Sequence, residues 1–243
     1  MTVVTTGTRA GTRANTGTGK TLRIAILISG RGSNMLQLAR HIDRNDLACE
    51  IVLVAANQDC AGLKEAIKHD LPTACVDSAA FDDHDAQETA LGDHIESAGA
   101  DFICLAGYMA VLSVAFVTRF AGRIINIHPS LLPAYKGLHT HQRALDAGDT
   151  RHGASVHIVT PVLDDGPLIL QVAIPLSGKD TAESLAARVL VLEHALYPFV
   201  LETLVSGHLV IQDGMVHWRD GETALDESVA EISATLKGCV IWP

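Results

Sequence analysis

From Leu22 onward, short runs of branched apolar residues alternate with stretches whose apolar residues recur at helical spacing, and this alternation restricts the fold more than any other feature. Leu22–Ile28 precedes a helical pattern over Asn34–Ile42. Ile51–Ala55 likewise precedes Gly62–His69, Thr73–Val76 precedes Asp85–Ser97, Asp101–Ala106 precedes Ser113–Phe120, and Ile124–Ile127 closes the series. Strands apolar on both faces need cover on both faces, and repeated strand-helix units supply it. The pattern predicts an α/β, Rossmann-like fold: a mainly parallel twisted sheet with helices on both faces. Gly153–Val159 and Leu168–Ile174 read as further strands and Thr181–Ser206 as a long helix. His208–Ile211 and Met215–Trp218 read as a small C-terminal hairpin turning at Asp213-Gly214.

No Pro- or Ser-rich linker interrupts residues 22–220, which are expected to form one domain. Residues 1–21, rich in Thr and Gly, read as a disordered N-terminal extension, and residues 221–243 as a C-terminal tail that packs as a last helix or frays. Gly17-Thr18-Gly19-Lys20-Thr21 resembles the end of a P-loop, but Ala14 stands where its first glycine belongs and no strand precedes it.

With 243 residues, 48% of them hydrophobic, the chain can bury a substantial core without disulfide or metal support. Its 28 acidic against 18 basic residues give a net charge of −10, which opposes nucleic acid and anionic membranes as partners. The longest apolar runs, such as Ile24–Ile28 and Ile51–Ala56, have the length of buried strands, so no membrane span is expected. Five cysteines with no C-x-x-C pair suit neither a disulfide framework nor a zinc site and fit a reducing cytoplasm.

The first predicted strand runs through Ser29-Gly30-Arg31-Gly32-Ser33-Asn34 directly into a helix. Such a loop aims backbone N–H groups at an anion at the positive end of a helix dipole. Gly30 and Gly32 would let the backbone approach a phosphate such as that of a ribose 5-phosphate, and Ser33 and Asn34 could add hydrogen bonds. The plainer reading is a tight turn with Ser33 or Asn34 as N-cap. A dinucleotide fingerprint is incomplete: Met35 occupies the third glycine position, and Ala55-Ala56-Asn57 supplies no acidic residue after the second strand.

Alternation along Arg123–Ile127 and onward sends Asn126 and His128 to one side of the strand, at the sheet edge where open α/β folds bind ligands. An amide can polarise a carbonyl and an imidazole can move a proton. Each residue taken alone has a structural reading, as a turn cap or a packing histidine. Asp164, in Leu163-Asp164-Asp165-Gly166-Pro167, is either a solvated turn residue or a carboxylate folded back onto His128 to stabilise its imidazolium.

Six ordered blocks place these residues in a wider pattern: Ile28–Met35, Leu105–Met109, Ile125–His141, His152–Val159, Leu163–Gln171 and Leu192–Pro198. From about Arg23 to His217 the sequence resembles the phosphoribosylglycinamide formyltransferases, the folate-dependent GAR transformylases of purine synthesis. The resemblance implies transfer of a formyl group from 10-formyltetrahydrofolate, as co-substrate, to the amine of glycinamide ribonucleotide (GAR). It implies catalytic roles for Asn126, His128 and Asp164. It also places the substrate phosphate on Gly32, Ser33 and Asn34, the substrate amine at Glu193, and the folate against Met109, Ala110, Val111 and Leu112 with His84 nearby. No metal is implied, no nucleic acid or membrane partner is expected, and the chain is expected to be a monomer or homodimer.

Two positions depart from that pattern. His84 stands where an arginine contacting the folate is expected, and Leu190 where some members carry a glutamine near the phosphate. His139, His141, His152 and His157 lack the spacing and partners of a metal set; His139 and His141 are expected to hold the loop after the active strand, and His157 with Ser155 to order hydrogen bonds beneath the site. The rivals are formyltetrahydrofolate deformylase, expected to carry an extra N-terminal domain, methionyl-tRNA formyltransferase, expected to carry an extra C-terminal barrel, and a non-catalytic sugar-phosphate-binding protein.

Overall fold

A computed structural model describes residues 21–219, 235–236 and 238–241. The architecture is mixed α/β and Rossmann-like, with a large, mostly parallel sheet flanked by helices and a small antiparallel hairpin. The chain divides into two compact units, Met1–Ile125 and Asn126–Pro243.

In the first unit the elements are β1 (Leu22–Ile28), α1 (Ser33–Arg44), β2 (Cys49–Ala56), α2 (Ala61–Lys68), β3 (Thr73–Cys75), α3 (His84–Ser97), β4 (Phe102–Leu105) and α4 (Val114–Arg119). The strands lie side by side in the order β3-β2-β1-β4, every pairing parallel. Ile24 to Ile28 in β1 are fully buried, as a strand covered on both faces requires. Each large apolar side chain buried in this way contributes about 1.5–3 kcal/mol relative to exposure.

β5 (Ile124–His128) begins in the first unit and ends in the second. The second unit continues with α5 (Thr140–Asp146), β6 (Arg151–Ile158), β7 (Leu168–Pro175), α6 (Ala182–Ser206), β8 (Leu209–Gln212), β9 (Met215–Trp218) and β10 (Val240–Ile241). β6 and β7 pair antiparallel, and β8 and β9 form a separate hairpin. At its turn Asp213 and Gly214 both have positive φ, 52° and 73°, as a two-residue turn matched to strand twist demands.

Two elements were not expected from the sequence. α5 lies in a segment whose periodicity is too short to register. β10 lies in the tail: Val240 and Ile241 pair antiparallel with Val172 and Gln171 of β7, and Leu236 is fully buried. Most of the tail's predicted helix, and the extension read over 1–21 apart from Thr21, lie outside the described residues.

The 25-residue α6 is long and apolar enough to cross a membrane by length and composition. The runs singled out in the sequence missed this because Arg188, Glu193 and His194 interrupt the apolar stretch. Its apolarity serves the core, since Leu185, Val189, Leu196, Tyr197, Phe199, Val200 and Leu201 are fully buried and the helix packs on β6 and β7. A capping box at Thr181 and Ser184 starts the helix, and Gly207 in the left-handed region ends it.

Candidate active site

At the end of β5, inside the second unit, the structure brings Asn126, His128 and Asp164 into one cluster, joined through His157. The β6–β7 connection makes this possible. Ile158 N–H donates to Pro167 O at 2.9 Å, closing the loop, and Gly166 presses so tightly on Ile158 O that any Cβ there would collide. Within the loop Asp164 adopts a left-handed φ of 48°, a conformation its short polar side chain tolerates. Its carboxylate turns inward: Oδ2 accepts the Gly137 N–H at 2.9 Å and lies 3.4 Å from His128 Nδ1, while Oδ1 lies 3.6 Å from His157 Nε2. The solvated-turn reading of Asp164 therefore does not hold.

The nearly buried His128 ring is held at both ends. Its Nε2 lies 3.0 Å from Tyr135 O, which can only accept, so Nε2 carries a proton. Nδ1 then faces the Asp164 carboxylate, where a second proton would make a charge-assisted contact. His157 is fixed in the same way. Its Nδ1 donates to Ile158 O at 3.0 Å, and burial holds its pKa below the ordinary histidine value, so the neutral ring presents an Nε2 lone pair. That lone pair accepts from Asn126 Nδ2 at 3.2 Å. One Nδ2 proton is thereby committed and the other is left to donate elsewhere.

The remaining histidines sort themselves. His139 is the N-cap residue of α5, and His141 Nδ1 meets His152 Nε2 at 3.1 Å. Burial pushes His152 down to about 4 and His141 also below its ordinary value. Ser155 ties the loop after β5 in place: its Oγ accepts from Leu132 N–H at 3.1 Å and donates to Ser130 O at 2.7 Å. The Tyr135 carbonyl and Gly137 N–H went unmarked in the sequence because backbone groups carry no residue signature.

In the first unit the loop before α1 departs from the plainer sequence reading. The N-cap is Gly32, at φ 72°, and no side chain caps the helix. Ser33 and Asn34 are therefore the first helical residues rather than caps, and they stand in the N-terminal turn, the end of a helix that favours anions. The sequence did not mark Gly62, at the start of α2. Gly62 N–H donates to Gly30 O at 2.8 Å, and a Cβ on Gly32 would stand 2.9 Å from Gly62 Cα, so each glycine is required by the other.

Met109 and Val111 follow β4 with strongly exposed side chains, 62% and 64%, while Ala110 and Leu112 are half-buried. His84, the first residue of α3, is exposed, with Nε2 3.6 Å from Glu88 Oε1. Glu193 of α6 is buried, at 9% exposure, and so is not the solvent-facing helix charge its position alone would suggest.

Residues 22–201 match the formyl transferase family model, which fixes the class as a formyl-group transferase. The phosphoribosylglycinamide formyltransferase of Escherichia coli K12 is 41% identical over 202 residues, covering 83% of this chain and 95% of that protein. Among solved structures, the phosphoribosylglycinamide formyltransferase of Coxiella burnetii is 44% identical with a TM-score of 0.77, over 82% of this chain and 94% of that one. Glycinamide ribonucleotide transformylase 1 of Symbiobacterium toebii is 36% identical with a TM-score of 0.80, over 86% of this chain and all of that one. The chain belongs to the phosphoribosylglycinamide formyltransferase family.

Proposed function

We propose that this enzyme transfers the formyl group of 10-formyltetrahydrofolate to the amino group of GAR, giving formyl-GAR and tetrahydrofolate in purine biosynthesis, in a reducing cytoplasm that suits its five cysteines. The observation that carries the reading is the convergence of an amide, an imidazole and a carboxylate at the end of β5. The GAR amine attacks the formyl carbon, and the carbonyl oxygen becomes an oxyanion. The uncommitted Asn126 Nδ2 proton donates to that oxygen, and a doubly protonated His128, held by Tyr135 O and Asp164, stabilises its charge. Through water, Asp164 takes the proton from the attacking nitrogen and delivers it to N10 as the C–N bond to the folate breaks. An amine is already a competent nucleophile, so the chemistry needs no covalent enzyme intermediate.

Gly32, Ser33 and Asn34 hold the substrate phosphate at the uncapped start of α1, and buried Glu193 accepts from the amine. Met109, Ala110, Val111 and Leu112 take the folate, with His84 near its acidic end.

A spectrophotometric assay of 10-formyltetrahydrofolate with GAR present and absent tests the reading. Turnover is expected only with GAR; turnover without it would replace the reading with a hydrolase. Asn126→Ala, His128→Ala and Asp164→Ala should each lower kcat by roughly 10²–10³ without unfolding the protein.

A further inference from the structure

Ser29 lies between the end of β1 and the Gly30–Asn34 loop and is 5% exposed. All of its polar groups are engaged. Its N–H donates to Gly107 O at 3.1 Å, and its carbonyl accepts from Gln58 Nε2 at 2.8 Å. Its single hydroxyl proton goes to Asn57 Oδ1 at 2.8 Å, and this aims an Oγ lone pair at the Met109 N–H, 2.9 Å away. One side chain thus joins the residue that opens the anion loop, the end of β2, and the segment after β4.

The other end of that segment is tied independently. Ser113 N–H donates at 2.9 Å to Oε1 of Glu88, a carboxylate buried on α3. Met109 and Val111 project from the stretch between the two ties. Of these two side-chain ties to the segment, the Ser29 hydroxyl is the one that leads to the anion loop.

We propose that the Ser29 hydroxyl is a positioning group that couples the anion loop to the Met109–Leu112 segment, so that a phosphate ligand on the loop strengthens folate binding. The coupling rests on the reading above, in which the loop takes the GAR phosphate and the segment takes the folate. Shifting the loop moves Ser29, and the Met109 N–H follows its acceptor. Thermodynamic linkage makes the effect reciprocal.

GAR and tetrahydrofolate together cannot react, so their mutual effect is measurable at equilibrium. The dissociation constant of tetrahydrofolate is determined by titration calorimetry with and without saturating GAR. In the wild-type protein GAR should tighten tetrahydrofolate by at least about fivefold, the lower end of ordinary coupling. Ser29→Ala should bring that ratio to within about twofold of unity, and Ser29→Thr, which keeps the hydroxyl, should preserve it. Glu88→Ala should weaken tetrahydrofolate while leaving the ratio intact, because its tie does not reach the loop. If Ser29→Ala does not fold, Asn57→Ala, which removes only the acceptor that orients the hydroxyl, should lower the ratio.

A wild-type ratio near one, an unchanged ratio in the folded Ser29→Ala or Asn57→Ala protein, or loss of the ratio in Ser29→Thr or Glu88→Ala would overturn the coupling. Failure of the wild-type protein to bind either ligand would instead overturn the functional reading beneath it.

Discussion

His157 shows how a residue that need not touch substrate can decide the chemistry of one that does. Its neutral ring, protonated at Nδ1 toward Ile158 O, leaves an acceptor for Asn126 and thereby fixes which way the Asn126 amide points. A flipped amide would present its oxygen to a developing oxyanion, where it repels rather than stabilises. Losing a buried hydrogen bond of this kind costs about 1–3 kcal/mol, or roughly 5–150-fold in rate when the loss falls on the transition state. His157→Ala should therefore lower kcat by that factor with little change in KM, and His157→Gln, whose side-chain oxygen can accept from Nδ2, should recover part of it. Steady-state kinetics on the two variants check this; equal kcat values for His157→Ala and wild type would remove the orienting role.

At the scale of elements, the anion loop is shaped as much by α2 as by α1. A Cβ at Gly62 would stand 2.7 Å from Ile28 Cδ1, 2.8 Å from Gly30 O and 3.0 Å from Gly32 N, so α2 can begin here only without a side chain. Gly62→Ala should push the loop away from the geometry its N–H groups need. The KM for GAR should rise about tenfold with a smaller change in kcat, and stability should fall by about 1–3 kcal/mol, as overpacking typically costs. Initial rates at varied GAR and a urea titration measure both effects. A KM within twofold of wild type would mean that the loop moves without consequence. The sequence could not show this, because one glycine in an amphipathic stretch reads only as a poor helix former. β1 was legible over Leu22–Ile28 because its buried stretch, Ile24–Ile28, is an unbroken apolar run, as a parallel strand covered on both faces requires. β10 was not, because a two-residue edge strand exists only through its pairing with Val172 and Gln171.

For the whole molecule, pattern revealed what repeats and left hidden what depends on partners distant in sequence. Asn126 and His128 could be placed together because alternation puts them on one side of β5. The return of Asp164 onto His128 depends on a left-handed residue and a glycine pressed against Ile158, which periodicity does not encode. The same burial that orders the histidines should make the fold sensitive to acid. His152 is held down to about 4, and His141 and His157 are lowered too, each chiefly because burial disfavours the charged ring. Their unfolded-state values lie near 6.5, so at pH between about 6.5 and 4 the unfolded chain binds more protons than the folded one. The stability from keeping these rings neutral is therefore fully present above about pH 6.5 and is lost progressively as the pH falls. For His152 alone the loss approaches the order of 3 kcal/mol at the acid end. Urea midpoints measured at pH 7.5, 6.0 and 5.0 should fall in that order, with the steepest drop below pH 6. In His152→Asn, which cannot titrate, the protein should be weaker at pH 7.5 but the slope shallower; an equally steep slope in that variant would place the acid sensitivity elsewhere in the fold.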